Sequence, residues 1–225
     1  MIEFGDCRET MRRWAADGIQ AQTCVTSPPY FGLRDYGHKD QIGLDQTPEE
    51  YIAALVEVFR CVRDILADDG TLWLNLGDSY DKGKQLLGMP WRVALALQGD
   101  GWLLRQDIIW HKPNPMPESV VDRCGKSHEY VFLFSKQEAY KFNSDAIREP
   151  LAESSVTRLA QNVSNQRGST RAHGKAKTNG PMKASGNVRL GRLKRSVWTI
   201  PTASFKGAHF AVFPPNLVTP CVLAG

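Results

Sequence analysis

Apolar positions between residues 51 and 66 recur every three to four residues, which is the period of an amphipathic helix. Thr47, Pro48 and Glu50 stand just before this stripe, where an N-cap, a first helical proline and a capping-box acid belong. The Asp-Gly pair at residues 69–70 is expected to end the helix.

Short apolar runs bounded by turn-forming residues predict several strands. A second helix is predicted from Pro90 to the Asp-Gly pair at residues 100–101. The predicted strands are residues 21–26, 71–76, 102–110 and 129–135. Because strands alternate with helices, the chain is predicted to have an α/β fold with a mainly parallel sheet and helices on its faces.

Residues 151–197 differ from the rest of the chain because they lack Phe, Tyr and Trp and are rich in Gly, Ser, Lys and Arg. Between residues 151 and 200 there are ten Lys and Arg residues and one acid, Glu153, which gives a net charge of +9. Since the whole chain carries +4, the remainder carries −5. This asymmetry favours a polyanionic partner. It divides the chain into a core (1–150), a basic insert (151–197) and a return to the core (198–225).

Several classes of protein are disfavoured. No apolar run approaches the ~20 residues that span a bilayer, and the N-terminus lacks the pattern of a signal peptide, so a cytoplasmic protein without a membrane partner is expected. The five cysteines contain no C-x-x-C pair, and the histidines lack metal-ligand spacing. We therefore expect neither a disulfide framework nor a metal site.

Residues 26–30, Thr-Ser-Pro-Pro-Tyr, directly follow the first predicted strand, and ligands of open α/β sheets bind outside such strand ends. The oxygen of Ser27 and a backbone carbonyl beside the prolines would accept the two N–H bonds of a conjugated amino group, which favours a pyramidal nitrogen with an available lone pair. Pro28 and Pro29 restrict φ at two successive residues, and Tyr30 offers a face on which a base would stack. The alternative is a simple turn after a strand.

Several blocks, in one order, resemble the permuted (β-group) DNA amino-methyltransferases, which modify N6 of adenine or N4 of cytosine. The resemblance covers nearly the whole chain. Residues 26–30 are similar to the catalytic tetrapeptide of that family, and residues 5–7 resemble its N-terminal Gly-Asp step. Further blocks similar to the family core are residues 72–78, 107–113, 128–135 and 209–217.

The resemblance implies a Rossmann-like AdoMet-dependent methyltransferase sheet, circularly permuted, with a basic recognition insert. It also implies that S-adenosyl-L-methionine (AdoMet) is the cofactor, that double-stranded DNA is the partner, and that the setting is restriction–modification. The predicted catalytic residues, which act on a base flipped out of the duplex, are Ser27, Pro28, Pro29 and Tyr30. The predicted contacts of the cofactor are Asp6, Thr26, His209 and Pro214.

The insert is predicted to recognise DNA and to be poorly ordered without it, because its composition cannot bury enough apolar surface. Phosphate contacts would dominate, with base recognition by a few Arg or Asn side chains. A solvated linker is the alternative. The predicted DNA contacts are Lys112, Lys175, Lys177, Arg192, Lys194 and Arg195.

The first residue of the tetrapeptide indicates which base is methylated. Ser is the commoner choice of the family for cytosine and Asp for adenine, so Ser27 predicts N4 of cytosine, with N6 of adenine as the alternative. RNA and protein amide methyltransferases fit less well, since they tend to have Asn at this position and to place the cofactor loop first. An unrelated basic nucleic-acid module would not explain the ordered set of strand blocks.

One block of the family is not found in this chain, namely the Phe-x-Gly-x-Gly loop that wraps the methionine part of AdoMet. The family order places that loop just after residues 217–225, so we expect a truncated chain or a contact supplied by another surface. Weak AdoMet binding and an exposed sheet edge follow from this expectation, unless a second copy or a partner chain covers the gap. A catalytically inactive DNA-binding fragment is the corresponding alternative.

Overall fold

The computed structural model describes residues 2–38, 40–44, 47–160, 191–207 and 212–225, with only the backbone of residues 158–160. The chain divides into two units, Met1–Asn143 with Arg195–Gly225, and Ser144–Lys194. The smaller unit overlaps the predicted insert, although residues 161–190 lie outside the described part of the chain.

Helices and strands alternate along the described residues, except that two strands follow one another within residues 103–135. They are α1 (Cys7–Ala16), β1 (Ala21–Thr26), α2 (Pro48–Ile65), β2 (Leu66–Leu76), α3 (Met89–Gly99), β3 (Leu103–His111), β4 (His128–Ser135), α4 (Glu153–Ala160), β5 (Val197–Thr199) and α5 (Pro215–Ala224). A short 3-10 turn, Ser144–Ile147, and α4 belong to the smaller unit. The pattern of apolar residues did not predict α1 or α5.

Within the described ranges, five strands form one sheet in the order β1-β2-β4-β3-β5. β4 is antiparallel to both of its neighbours, whereas β1 with β2 and β3 with β5 are parallel. Four of these strands therefore run in one direction, as predicted, but the sheet is mixed rather than mainly parallel, because the reversed strand β4 makes two of its four pairings antiparallel. A parallel neighbour requires a long crossover, usually a helix, and the β3–β4 connection at residues 112–127 contains none.

The predicted start of α2 is confirmed, including the capping box between Thr47 and Glu50, but its predicted end at residues 69–70 is wrong. The helix ends at Ile65, and Leu66 is already extended and paired with β1. Pairing with β1 overrides the continued helical periodicity. Gly70 permits the close approach of the two strands, because a Cβ there would lie 2.8 Å from a backbone oxygen of β1.

The core lies on both faces of the sheet, as the alternation along β2 illustrates. Leu72 and Leu74 pack with the helices α2 and α3, whereas Trp73 lies on the other face, 6.2 Å from the ring of Trp198. Burying each large apolar side chain contributes about 1.5–3 kcal/mol, so this two-sided packing fixes the sheet as a rigid support. None of the helices in the described ranges is long and apolar enough to cross a membrane.

Candidate active site

Four strands of the sheet bring residues to one of its edges. The turn at residues 27–30 follows β1, Gly77 and Asp78 follow β2, and Lys112 follows β3. Because β4 runs in the opposite direction, its first residues, including Glu129, lie at the same edge. The carboxyl ends of parallel strands are where α/β sheets bind ligands, so this edge is the candidate site.

A cleft of about 710 Å³ opens at this edge, within the larger unit. Its volume falls in the range of roughly 300–1,000 Å³ that is typical of ligand sites. Of the predicted site residues, the four of the turn and Lys112 line it. Its other polar side chains include Asn75, Asp78, Lys126 and Glu129.

The turn is held in place by α2. The hydroxyl of Tyr51 donates a hydrogen bond to the carbonyl of Pro29 over 2.8 Å. Tyr51 is buried, and burial raises the pKa of its hydroxyl, so the group stays protonated and remains a donor. The helix that the apolar stripe predicted therefore positions the turn that the motif predicted.

Tyr30 is fixed at both its ring and its hydroxyl. The ring packs on Gly77, where a Cβ would lie only 2.6 Å from a ring carbon. The hydroxyl donates to the carboxylate of Glu129 over 2.6 Å and lies 3.3 Å from the side-chain oxygen of Asn75. Ser27 donates its own hydroxyl proton to the oxygen of Tyr30 over 3.3 Å. Burial, followed by the charge and the hydrogen bond of Glu129, raises the pKa of Tyr30 well above its ordinary value.

Glu129 is the central acceptor of the cleft. Besides Tyr30, it accepts a hydrogen bond from the side-chain nitrogen of Asn75 over 3.1 Å and forms a salt bridge with Lys112. The Lys112 ammonium also lies 4.3 Å from the ring centre of Trp110. Sequence reasoning missed Glu129, although a charged residue at the start of an otherwise apolar strand is a signal that could have identified it.

Asp78 both lines the cleft and caps α3. Its side chain accepts the backbone N–H groups of Ser79 (3.0 Å) and Met89 (2.9 Å), and Met89 is the first residue of α3. Lys126 donates to the backbone carbonyl of Asp78 over 3.0 Å, and burial lowers the pKa of Lys126. The loop between β3 and β4 is thereby joined to the end of β2.

The predicted cofactor contacts are dispersed. Asp6 caps α1 by accepting the backbone N–H of Arg8, and the guanidinium of Arg8 lowers the pKa of Asp6 through a side-chain hydrogen bond. Thr26 is the last residue of β1, and Pro214 is the N-cap of α5. None of these three lines the cleft as far as the structure describes it, and His209 lies outside the described residues. Their contact with AdoMet stays a prediction.

The predicted DNA contacts also fall in different places. Lys112 lies in the cleft, paired with Glu129. In the smaller unit, Arg192 and Lys194 lie 3.1 and 3.8 Å from the carboxylate of Glu149. Arg195 belongs to the larger unit, and Lys175 and Lys177 lie outside the described residues. Their contact with DNA stays a prediction.

Comparisons with known proteins show what this chain is similar to. A family model described as DNA methylase matches residues 21–225. Type II methyltransferase M.SmaI of Serratia marcescens is 40% identical over 252 residues, which are 100% of this chain and 74% of that protein. Type II methyltransferase M.XycI of Xanthomonas campestris pv. cyanopsidis is 40% identical over 248 residues, 98% of this chain and 70% of that protein. The solved PvuII DNA methyltransferase (cytosine-N4-specific) superimposes with a TM-score of 0.63 at 17% identity, covering 98% of this chain and 68% of that one.

Proposed function

Because the chain belongs to the N6/N4 DNA methylase family, we propose that it transfers a methyl group from AdoMet to N4 of a cytosine in double-stranded DNA. Membership of this family supports the general activity, that of an AdoMet-dependent DNA methyltransferase, without the choice of base. The position of Ser27 carries the choice of an amino group as acceptor, because this residue lines the cleft directly after β1. The relatives named type II methyltransferases support methylation at a specific sequence.

The cleft holds charged groups of both signs. The carboxylates of Asp78, Glu118 and Glu129 line it together with the cations of Arg34, Lys112 and Lys126. When bound, AdoMet supplies an electrophilic methyl group on its sulfonium. Asp6, Thr26 and Pro214 remain the predicted contacts of the cofactor among the described residues.

The turn suits the target amine. An exocyclic amino group of a base is a poor nucleophile because its lone pair is delocalised into the ring. Ser27 and the carbonyl of Pro28 would each accept one of its N–H bonds, and this arrangement favours a pyramidal nitrogen. The turn is held by Tyr51 and by the packing of Tyr30 on Gly77, so these acceptors are positioned before the base arrives. After transfer, the methylated nitrogen is cationic and acidic and loses its proton without a strong base.

Cytosine is proposed over adenine from the identity of Ser27 at the first position of the tetrapeptide. The decisive measurement uses unmethylated DNA, isotopically labelled AdoMet and the protein, followed by digestion to nucleosides and mass spectrometry. Labelled N4-methylcytosine supports the proposal. Labelled N6-methyladenine alone would overturn the choice of base, and no labelled base at all would overturn the activity.

The Ser27→Ala variant is the matched control for this experiment. It removes one acceptor of the target amine while leaving the two prolines and the anchor at Tyr51 unchanged. We expect the rate of methyl transfer to fall about 100-fold, as when a single hydrogen-bond partner of a transition state is removed. DNA affinity should change little, and an equal loss of affinity and rate would assign Ser27 to binding instead.

A further inference from the structure

The hydrogen bonds around Tyr30 have a defined direction. Ionised Glu129 has no proton to donate, so the 2.6 Å contact with Tyr30 takes the single proton of the tyrosine hydroxyl. The tyrosine oxygen is then left as an acceptor, and Ser27 donates to it over 3.3 Å. Once the proton of Ser27 is used in this way, both lone pairs of its oxygen are left to accept hydrogen bonds.

We propose that Glu129 is a positioning residue that acts through Tyr30, orienting the Ser27 hydroxyl so that it presents lone pairs rather than a proton to the target amino group. This inference rests on the proposed function, since it concerns the same acceptor of the same amine. Glu129 itself does not touch the target amino group in this scheme. It sets the direction of a chain of hydrogen bonds that ends at the reacting nitrogen.

The surroundings of Glu129 supply hydrogen-bond donors to its carboxylate. Its side chain is largely buried, at 15% exposure. Lys112 forms a salt bridge with the carboxylate, and Asn75 donates a hydrogen bond to it. Asn75 is in turn fixed by donating to the carbonyl of Tyr130 over 3.1 Å. The carboxylate therefore faces two donors from neighbouring strands and the hydroxyl of Tyr30.

Replacing the carboxylate by an amide would remove the fixed direction of the hydrogen bonds that run from Ser27 through Tyr30 to Glu129. In Glu129→Gln, the side-chain nitrogen can donate to Tyr30, which frees the tyrosine proton to point towards Ser27 or Asn75. The proton of Ser27 can then point into the cleft, where it opposes the N–H bonds of the target base. The volume and shape of the side chain are nearly unchanged, so the substitution tests hydrogen-bond direction rather than packing.

The test is a double-mutant cycle with Glu129→Gln, Tyr30→Phe and the double variant, assayed by the single-turnover rate of methyl transfer. We expect each single variant to lose at least tenfold in rate and the double variant to be no slower than Tyr30→Phe alone. Affinities for DNA and for AdoMet should stay within about twofold of the wild type. Glu57→Gln, which removes a carboxylate paired with Arg8 and Arg12 on the helices, should keep the wild-type rate.

Several results would overturn the inference. A wild-type rate for Glu129→Gln would do so, and so would losses that multiply in the double variant, since Glu129 would then act independently of Tyr30. Loss of affinity without loss of rate would assign Glu129 to binding. If Glu129→Gln does not fold, a wild-type rate for Tyr30→Phe still overturns the scheme. An inactive wild-type protein defeats the proposed function itself, whereas an active wild type with an active Glu129→Gln defeats only this inference.

Discussion

At the scale of single residues, the tyrosine of the motif has a different environment from the one that the sequence suggests. The sequence predicts that the ring of Tyr30 stacks on the target base, so that loss of the ring matters more than loss of the hydroxyl. In the structure the ring packs on Gly77 and the hydroxyl joins Ser27 to Glu129. Stacking stays a prediction, but Tyr30→Phe is no longer expected to be a mild change.

The contact between Gly77 and Tyr30 leads to a first prediction. In Gly77→Ala the new Cβ would lie 2.6 Å from the ring, so the tyrosine must move and its hydroxyl must leave Ser27 and Glu129. We expect the methyl-transfer rate to fall at least tenfold, with a modest loss of thermal stability. The control is Gly99→Ala, where nothing lies within 4 Å of the new Cβ. Equal rates for the two variants would contradict the importance of this contact.

Asp6 leads to a second prediction, because its cap and its predicted cofactor contact can be separated. Asn caps a helix about as well as Asp, so Asp6→Asn should keep the melting temperature near that of the wild type. If Asp6 binds AdoMet, the same variant should weaken AdoMet affinity by about tenfold, measured by isothermal titration calorimetry. Unchanged affinity would leave Asp6 with the role of helix cap alone.

The pH dependence of the same group follows from its interaction with Arg8. The hydrogen bonds from Arg8 lower the pKa of Asp6 below the ordinary value of 3.8. A lowered pKa means that the stabilisation is present above 3.8 and is lost as the pH falls through the lowered value. Titration of Asp6 should therefore leave AdoMet affinity unchanged between pH 5 and pH 8.

At the scale of elements, the loop at residues 112–127 is the most informative part of the site. It joins the antiparallel strands β3 and β4, and Lys126 attaches it to the end of β2. Asn114 attaches its other end, because its side chain exchanges two hydrogen bonds with Thr202. Between these anchors Met116 lines the cleft, flanked by Pro115 and Pro117, and is 84% exposed.

This exposed methionine leads to a third prediction. A base flipped out of a duplex leaves a gap, and apolar side chains at a protein surface can fill such gaps between stacked bases. Once the methylated sequence is known, Met116→Ala should bind a matched duplex about tenfold more weakly, measured by fluorescence anisotropy. The loss should shrink on a duplex with a mismatch at the target, which is easier to open.

The matched control for this loop is Val121→Ala, since Val121 is fully exposed on the same loop and does not line the cleft. It should bind both duplexes like the wild type. Equal losses for Met116→Ala on matched and mismatched DNA would contradict a role in base flipping, and they would indicate a general contact.

At the scale of the whole molecule, the outcome for the predicted fold differs from the outcome for the predicted role of the basic residues. The α/β methyltransferase fold is confirmed by the sheet and by the solved relative, whereas circular permutation of that sheet stays a prediction. The basic window at residues 151–200 belongs mostly to the smaller unit, and its role in DNA recognition also stays a prediction. Within that unit, Glu149 already pairs with two of the cations.

A fourth prediction tests that role through salt dependence. Neutralising Lys175, Lys177, Arg192, Lys194 and Arg195 together should flatten the slope of log affinity against log salt by about 0.9 for each cation that no longer neutralises a phosphate. Arg192 and Lys194 should contribute least, because Glu149 pairs with both. DNA binding is measured between low and moderate salt. A variant that neutralises Lys82 and Lys84 is the control, and an unchanged slope in the five-residue variant would refute the assignment.

The parts of this protein that depend on local chemistry could be predicted from its amino-acid sequence. The capping box of α2 and the turn of Ser27 after β1 are both confirmed as features of the chain, because caps, prolines and strand ends act over a few residues. The family and the fold class were equally readable from the order of the motifs, and the comparisons confirm both.

Contacts between groups that are distant along the chain depend on the arrangement of the whole sheet. Glu129 lies 99 residues from Tyr30 along the chain, and no local pattern relates them. They come together because β4 runs antiparallel to its neighbours and so begins where β1 ends. Tertiary pairing also decides where α2 ends. The helix ends at Ile65 because pairing of Leu66 with β1 outweighs a helical periodicity that continues in the sequence. Strand order and direction are set by packing of the whole sheet, which is why neither contact could be derived from the sequence.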